Sequence, residues 1–147
     1  LLVAASVTWK HWSRFDNPIV YTAERPGDAP QPEANFGDTF VSRVGIEGSF
    51  TAGPFGLQAR GGFAWEPSPA PLQEGYHNYL DNDRAVLGTG LGMDWRFIRL
   101  DLAFQYHHLV PRRAVKESTL SETHPGWPSI EHEGGIFYFG AEVGVTL

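Results

Sequence analysis

The sequence predicts an all-β fold, a transmembrane antiparallel β-barrel wall of about six strands, on three observations. Apolar and polar residues alternate with period two over unusually long segments. Long and short connections alternate along the chain. Aromatic residues gather at both ends of the segments.

The first strand runs from about Leu2 to Trp12, with Val3, Ala5, Val7 and Trp9 on its apolar side. In the segment Phe40 to Phe50, Phe40, Val44, Ile46, Gly48 and Phe50 share one face, opposite Arg43, Gly45, Glu47 and Ser49. From Phe55 to Glu66, Leu57, Ala59, Gly61, Phe63 and Trp65 oppose Gln58, Arg60, Gly62 and Glu66. From Arg84 to Arg96, Ala85, Leu87, Thr89, Leu91, Met93 and Trp95 oppose Gly88, Gly90, Gly92, Asp94 and Arg96. The next segment sets Ile98, Leu100, Leu102, Phe104 and Tyr106 against Arg99, Asp101, Ala103, Gln105 and His107. The last sets Phe137, Phe139, Ala141, Val143, Val145 and Leu147 against Tyr138, Gly140, Glu142, Gly144 and Thr146.

A soluble β-sandwich alternates too, but its strands usually run to about five or six residues, against roughly ten for a tilted membrane strand. The polar faces also mix charges with glycines, as a wet interior would. Thr51-Ala52-Gly53-Pro54 and Arg96-Phe97-Ile98-Arg99 are tight connections. Between them lie long ones, from about Ser13 to Thr39, Pro67 to Asp83 and Val110 to Glu133. This is the asymmetry of outer-membrane barrels, with short periplasmic turns and long external loops. Phe50, Phe55, Trp95 and Phe97 lie at the short-turn ends, and Trp9, Trp12, Phe40, Phe63, Trp65, Tyr106 and Phe137 towards the long-loop ends. Two such bands fit interfacial girdles.

Composition narrows the class further. The 147 residues are 41% hydrophobic, 14% aromatic and 19% charged, yet mean hydropathy is only −0.27, so apolar residues are interleaved with polar ones. No run approaches the roughly 20 apolar residues of a membrane helix. A net charge of −6 offers no basic stripe for nucleic acid. With no cysteine, neither a disulfide nor a thiolate metal site can form.

The opening Leu1-Leu2-Val3-Ala4-Ala5 reads as the inside of a strand, and six strands fall short of the eight at which single-chain bacterial barrels begin. Residues 1–147 are therefore expected to be the C-terminal part of one barrel domain, with earlier strands and an export signal upstream. The alternation runs on through Val143, Val145 and Leu147 as in the last strand of an outer-membrane barrel, and if this is the native end it is expected on the periplasmic side.

Several motifs carry a family resemblance. They are Trp12-Ser13-Arg14-Phe15; the strand Val41 to Gly48 with Arg43-Val44-Gly45; Glu66-Pro67-Ser68-Pro69-Ala70-Pro71; Leu80-Asp81-Asn82-Asp83-Arg84 before a Gly-rich strand from Leu87 to Gly92; and Leu100-Asp101-Leu102-Ala103-Phe104-Gln105-Tyr106. In this order, over nearly the whole chain, they resemble the FadL-type outer-membrane transporters of long-chain fatty acids and other hydrophobic compounds. Asn82, the terminal Leu147 and the long Pro-rich first loop depart from the family pattern. The resemblance implies a 14-stranded barrel whose N-terminal plug, absent from this sequence, helps form the ligand pocket. It implies passive uptake of hydrophobic molecules across the bacterial outer membrane. Outer-membrane lipids and the barrel assembly machinery would be its partners, and the full-length barrel would be a monomer without a cofactor. A general diffusion porin or an adhesion barrel is the alternative.

Candidate site residues fall into two groups. Arg43, Glu47, Gln58, Arg60, Glu66, Asp94, Arg96, Arg99, Asp101, Gln105, His107 and Glu142 form an inward polar row along a possible transport path. Its mixed signs suggest cross-bracing rather than a one-sign ring that selects ions. Leu72, Tyr76, Tyr79, Leu80, Leu120, Trp127 and Ile130, with Val115, are apolar loop residues that could capture a hydrophobic ligand outside the barrel.

Other chemistry is not expected. His107-His108 and Glu131-His132-Glu133 suggest a cation site, but neighbours on a strand point to opposite faces and cannot share an ion. His77 with Asp81 and Asp83 reads as a solvated loop. No nucleophile motif surrounds Ser42, Ser49, Ser118, Ser121 or Ser129, so neither an enzyme nor a metal site is expected.

Overall fold

The computed structural model describes residues 1–15, 35–75, 77–120 and 122–145. Six strands follow one another: β1 (Leu2–Lys10), β2 (Thr39–Ala52), β3 (Phe55–Glu66), β4 (Arg84–Trp95), β5 (Ile98–Val115) and β6 (Ser129–Val145). A single 3₁₀ turn, Trp12–Arg14, follows β1. All the strands belong to one antiparallel sheet in the order β1-β2-β3-β4-β5-β6. Among the described residues the sheet is open: β1 pairs only with β2, and β6 only with β5.

The register carries the alternation across the sheet without a break. Gly48, Ala59, Leu91 and Leu102 stand side by side, as do Glu47, Arg60, Gly90 and Ala103 on the opposite face. One face is therefore apolar throughout and the other ionic, because a strand's side chains have period two. Among the described residues nothing packs on the apolar face: Phe40, Phe50, Leu87 and Leu91 are each more than half exposed, and Phe139 is 82% exposed. The buried apolar side chains of β2, β3 and β4, Val41, Ala64 and Val86, lie on the ionic face next to the long connections, and Ala70, Ala114 and Leu120 are buried beyond them.

Both short connections are two-residue hairpins. Ala52 pairs with Phe55 around Gly53-Pro54, and Trp95 pairs with Ile98 around Arg96-Phe97. The first central residue has positive φ in each, 59° at Gly53 and 54° at Arg96. Glycine adopts that conformation freely, whereas arginine is strained by it. Arg96 lays its guanidinium over the Trp95 ring, 5.3 Å from the centroid, a cation–π contact that offsets part of this strain.

Two boundaries differ from the sequence expectation. β1 stops at Lys10, because the 3₁₀ turn takes up Trp12. The connection expected from Val110 to Glu133 shrinks to 116–128, since Arg112 pairs with His132 and Val115 with Ser129 beyond an irregularity between Leu109 and Arg112. Pro111 lies within that irregularity, where its missing N–H leaves no ladder bond unmade. Of the expected first loop, residues 16–34 lie outside the described residues, as do Thr146 and Leu147.

Candidate functional site

Two structures occupy the ionic face: a belt of ion pairs near the short turns and a cap of interlocked connections at the other end. The belt begins with Arg60 on β3. Its Nε donates to Glu47 Oε2 on β2 at 2.7 Å, and its Nη1 to Asp101 Oδ1 on β5 at 2.8 Å. Its Nη2 donates to Gln58 Oε1. Arg99 donates to Asp101 Oδ2 at 2.6 Å and lies 3.9 Å from Asp94, and the Gln58 amide reaches Asp94 at 3.3 Å. Higher on the same face Arg43 pairs with Glu66 at 2.8 Å and reaches Thr8.

Glycines on β4 make room for the belt. A Cβ at Gly92 would sit 3.0 Å from Asp101 Oδ1 and 3.1 Å from Gln58 Oε1, and one at Gly90 would touch the Arg60 side chain. Above Arg60 the wall is nearly bare. Gly62, Gly88, Gly90, Ala103 and Gly140 help to line a recess of about 440 Å³.

The other expected members of the row are placed individually. His107 contacts Gln105 at 3.3 Å and meets the Tyr138 ring edge-on. Glu142 faces Asp101 directly but has no hydrogen bond or ion pair among the described residues. Arg96, expected in the row, is excluded from it: its position in the tight turn directs it onto Trp95.

The cap is held by side chains that grip backbone carbonyls. Arg112 donates to Ser68 Oγ, Asp81 O and Ala70 O, at 3.0, 3.1 and 2.5 Å. Lys116, only 4% exposed, donates to Gly75 O at 2.8 Å and His77 O at 2.9 Å. Burial holds its ammonium pKa below the ordinary value. Asn82 donates to Val110 O and His132 O, and its Oδ1 lies 2.8 Å from His132 Nδ1. Asp83 accepts the Ser68 N–H at 2.7 Å. Asp38 receives the N–H of Ser13 at 2.9 Å and the Trp9 indole at 3.2 Å, fixing the 3₁₀ turn beside β2. The Ser13 bond in particular lowers the Asp38 pKa.

The apolar loop residues do not form one open patch. Leu72 and Leu80 are exposed, Tyr79 and Trp127 half-buried, and Leu120 buried. Leu120, expected on the capture surface, is only 7% exposed. Ile130 lies close against Gly126. Tyr76 lies outside the described residues. An aromatic cluster that sequence reading missed joins Trp12, Phe15, Phe36 and Tyr79, with neighbouring centroids 5.1–6.4 Å apart. Arg112, Lys116, Asn82 and Asp38 were missed as well. Their sequence signal is weak, since a polar residue in a polar loop attracts no notice. Among the described residues no three His, Asp or Glu side chains are placed to hold a metal ion.

The described residues define the class: an all-β, six-stranded antiparallel sheet with one bare apolar face and one ion-paired face. Compared with known proteins, the chain is 25% identical over 157 aligned positions to alkane uptake protein A of Marinobacter nauticus. The match covers 96% of this chain and 32% of that protein, so the chain spans about a third of its relative's length. No protein-family profile matches the chain, and no solved structure matches it.

Proposed function

We propose that this chain is part of the wall of a β-barrel in the bacterial outer membrane, and that the barrel passes hydrophobic compounds inward. The observation that carries this reading is the apolar face, exposed from Phe40 on β2 to Phe139 on β6 with nothing among the described residues packed on it. So large a patch is not left in water, and lipid is the medium that suits it along the whole width of the sheet. The ionic belt then faces a wet interior. The likeness to an alkane uptake protein supports a hydrophobic cargo in general, and long-chain fatty acids are the finer reading drawn from the family resemblance.

The test is transport by the full-length protein in proteoliposomes. Accelerated entry of a labelled long-chain alkane or fatty acid, with no swelling in a small sugar, supports the reading. Swelling in sugar without hydrophobic entry would identify a diffusion porin instead.

A further inference from the structure

The free edge of β6 carries two unmet demands. Its backbone pairs with β5 on one side only, so a row of N–H and C=O groups along a strand of 17 residues has no partner among the described residues. On the outward side of that strand Phe137, Phe139, Val143 and Val145 are all exposed. In hydrocarbon such an edge has no water to satisfy it and must be paired by another strand.

The inward side indicates what that strand carries. Glu142 lies opposite Asp101, but both Asp101 oxygens are occupied, Oδ1 by Arg60 and Oδ2 by Arg99. The belt sets Arg60 and Arg99 against four carboxylates, Glu47, Asp94, Asp101 and Glu142. Arg43 is committed to Glu66 further up the wall. Two like charges directly opposite each other on neighbouring strands are unfavourable unless a cation joins them.

We propose that β6 is closed by a further transmembrane strand, antiparallel to it, whose inward side chain beside Glu142 is an arginine or a lysine. That cation extends the belt across the seam as Arg60 extends it across β4. A second copy of this chain does not fit. Within residues 1–147 the other free edge is β1, whose inward residues are Leu2, Ala4, Ser6, Thr8 and Lys10. Lys10 lies at the long-connection end of the sheet, whereas Glu142 lies near the short turns. The inference rests on the barrel reading but not on the identity of the cargo.

The experiment places a benzoylphenylalanine photo-crosslinker at Phe139 of the full-length protein in its native membrane. Phe139 faces outward at the seam, and the substitution keeps an aromatic ring there. The expected product joins β6 to a strand with Arg or Lys at, or next to, the position facing Glu142. Glu142→Arg should then lower the folded fraction about tenfold, as a like-charge clash would. Exchanging the partner cation for Glu in the same protein should restore folding. A cross-link to β1 of another copy, or to a strand with no cation at that level, overturns the proposal. So does a charge swap that fails to restore folding while the cross-link persists. Failure of the protein to fractionate as an integral membrane protein would instead sink the barrel reading beneath it.

Discussion

Arg60 on β3 reaches over β4 to Asp101 on β5, closing an ion pair at 2.8 Å between strands that are not neighbours. Such a crossing is possible only where the strand between has no side chain in the way. Gly90 and Gly92 meet that condition. A leucine at Gly92 should displace Asp101 and Gln58 and destabilise the fold by roughly 1–3 kcal/mol, the usual cost of forcing atoms into an occupied space. Gly48→Ala is the control, because its added Cβ would meet nothing within 4 Å. Denaturant midpoints of the two variants, refolded in detergent micelles, should separate, and coincident midpoints would contradict the crossing.

The two faces should respond differently to the same charge. Leu102 is 45% exposed on the apolar face, and Ala103 lies on the ionic face beside Gly140. On the barrel reading, Leu102→Arg puts a cation in lipid at a cost of roughly 2–4 kcal/mol near the bilayer midplane. Ala103→Arg adds a cation to a face where carboxylates are in excess, and should be tolerated better. The heat-modifiable folded band on a gel measures both. Equal losses would mean that the register or the medium is wrong.

Which end faces the cell exterior can be tested with cysteines. Gly75→Cys and Glu122→Cys, on two of the long connections, should react with an impermeant thiol reagent on intact cells, and Ala52→Cys at a short turn should not. Gly75 has open space around it, whereas Gly126 is a poor site: its φ is +93° and a Cβ there would fall 2.6 Å from Ile130. Labelling of Ala52→Cys alone would invert the orientation.

Asp38 predicts an acid response of the first turn. Its folded pKa lies below the ordinary 3.8. The stabilisation from its bonds to Ser13 and Trp9 is therefore complete above about 3.8 and is lost as the pH falls through the lower folded value. Tryptophan fluorescence should change in that acidic window in the parent protein, and Asp38→Asn should remove the change. A transition unaltered by Asp38→Asn would assign it to another group.

The strands and their faces were legible because period-two alternation is a local property. Leu87, Leu91 and Arg60 need no knowledge of distant partners to declare their side. The second long connection was legible to the residue, with β3 ending at Glu66 and β4 starting at Arg84. The extension of β5 and β6 past Leu109 was hidden, since Pro111 and the charged residues around it look like loop sequence. Arg96 was misplaced because alternation was carried one residue into a turn, where it no longer governs direction. The cap was the least legible part. Apart from the Ser68 hydroxyl, Arg112 and Lys116 bind carbonyl oxygens, which every residue has, so little in the sequence marks the partner. Asn82, which looks like an irregularity in the family pattern, is buried at the junction of the 67–83 connection with β5 and β6.

That mode of attachment bears on how this surface can evolve. Ala70, Gly75, His77 and Asp81 contribute only their main chain to the Arg112 and Lys116 contacts. The side chains of Gly75, His77 and Asp81 can be exchanged without releasing the grip, provided the backbone keeps its course, whereas Ala70 is only 4% exposed and leaves little room for a larger one. Arg112 and Lys116 have no such latitude. Variation among strains should therefore concentrate on the acceptor segment and spare the two donors, giving a surface that changes its appearance while keeping its shape.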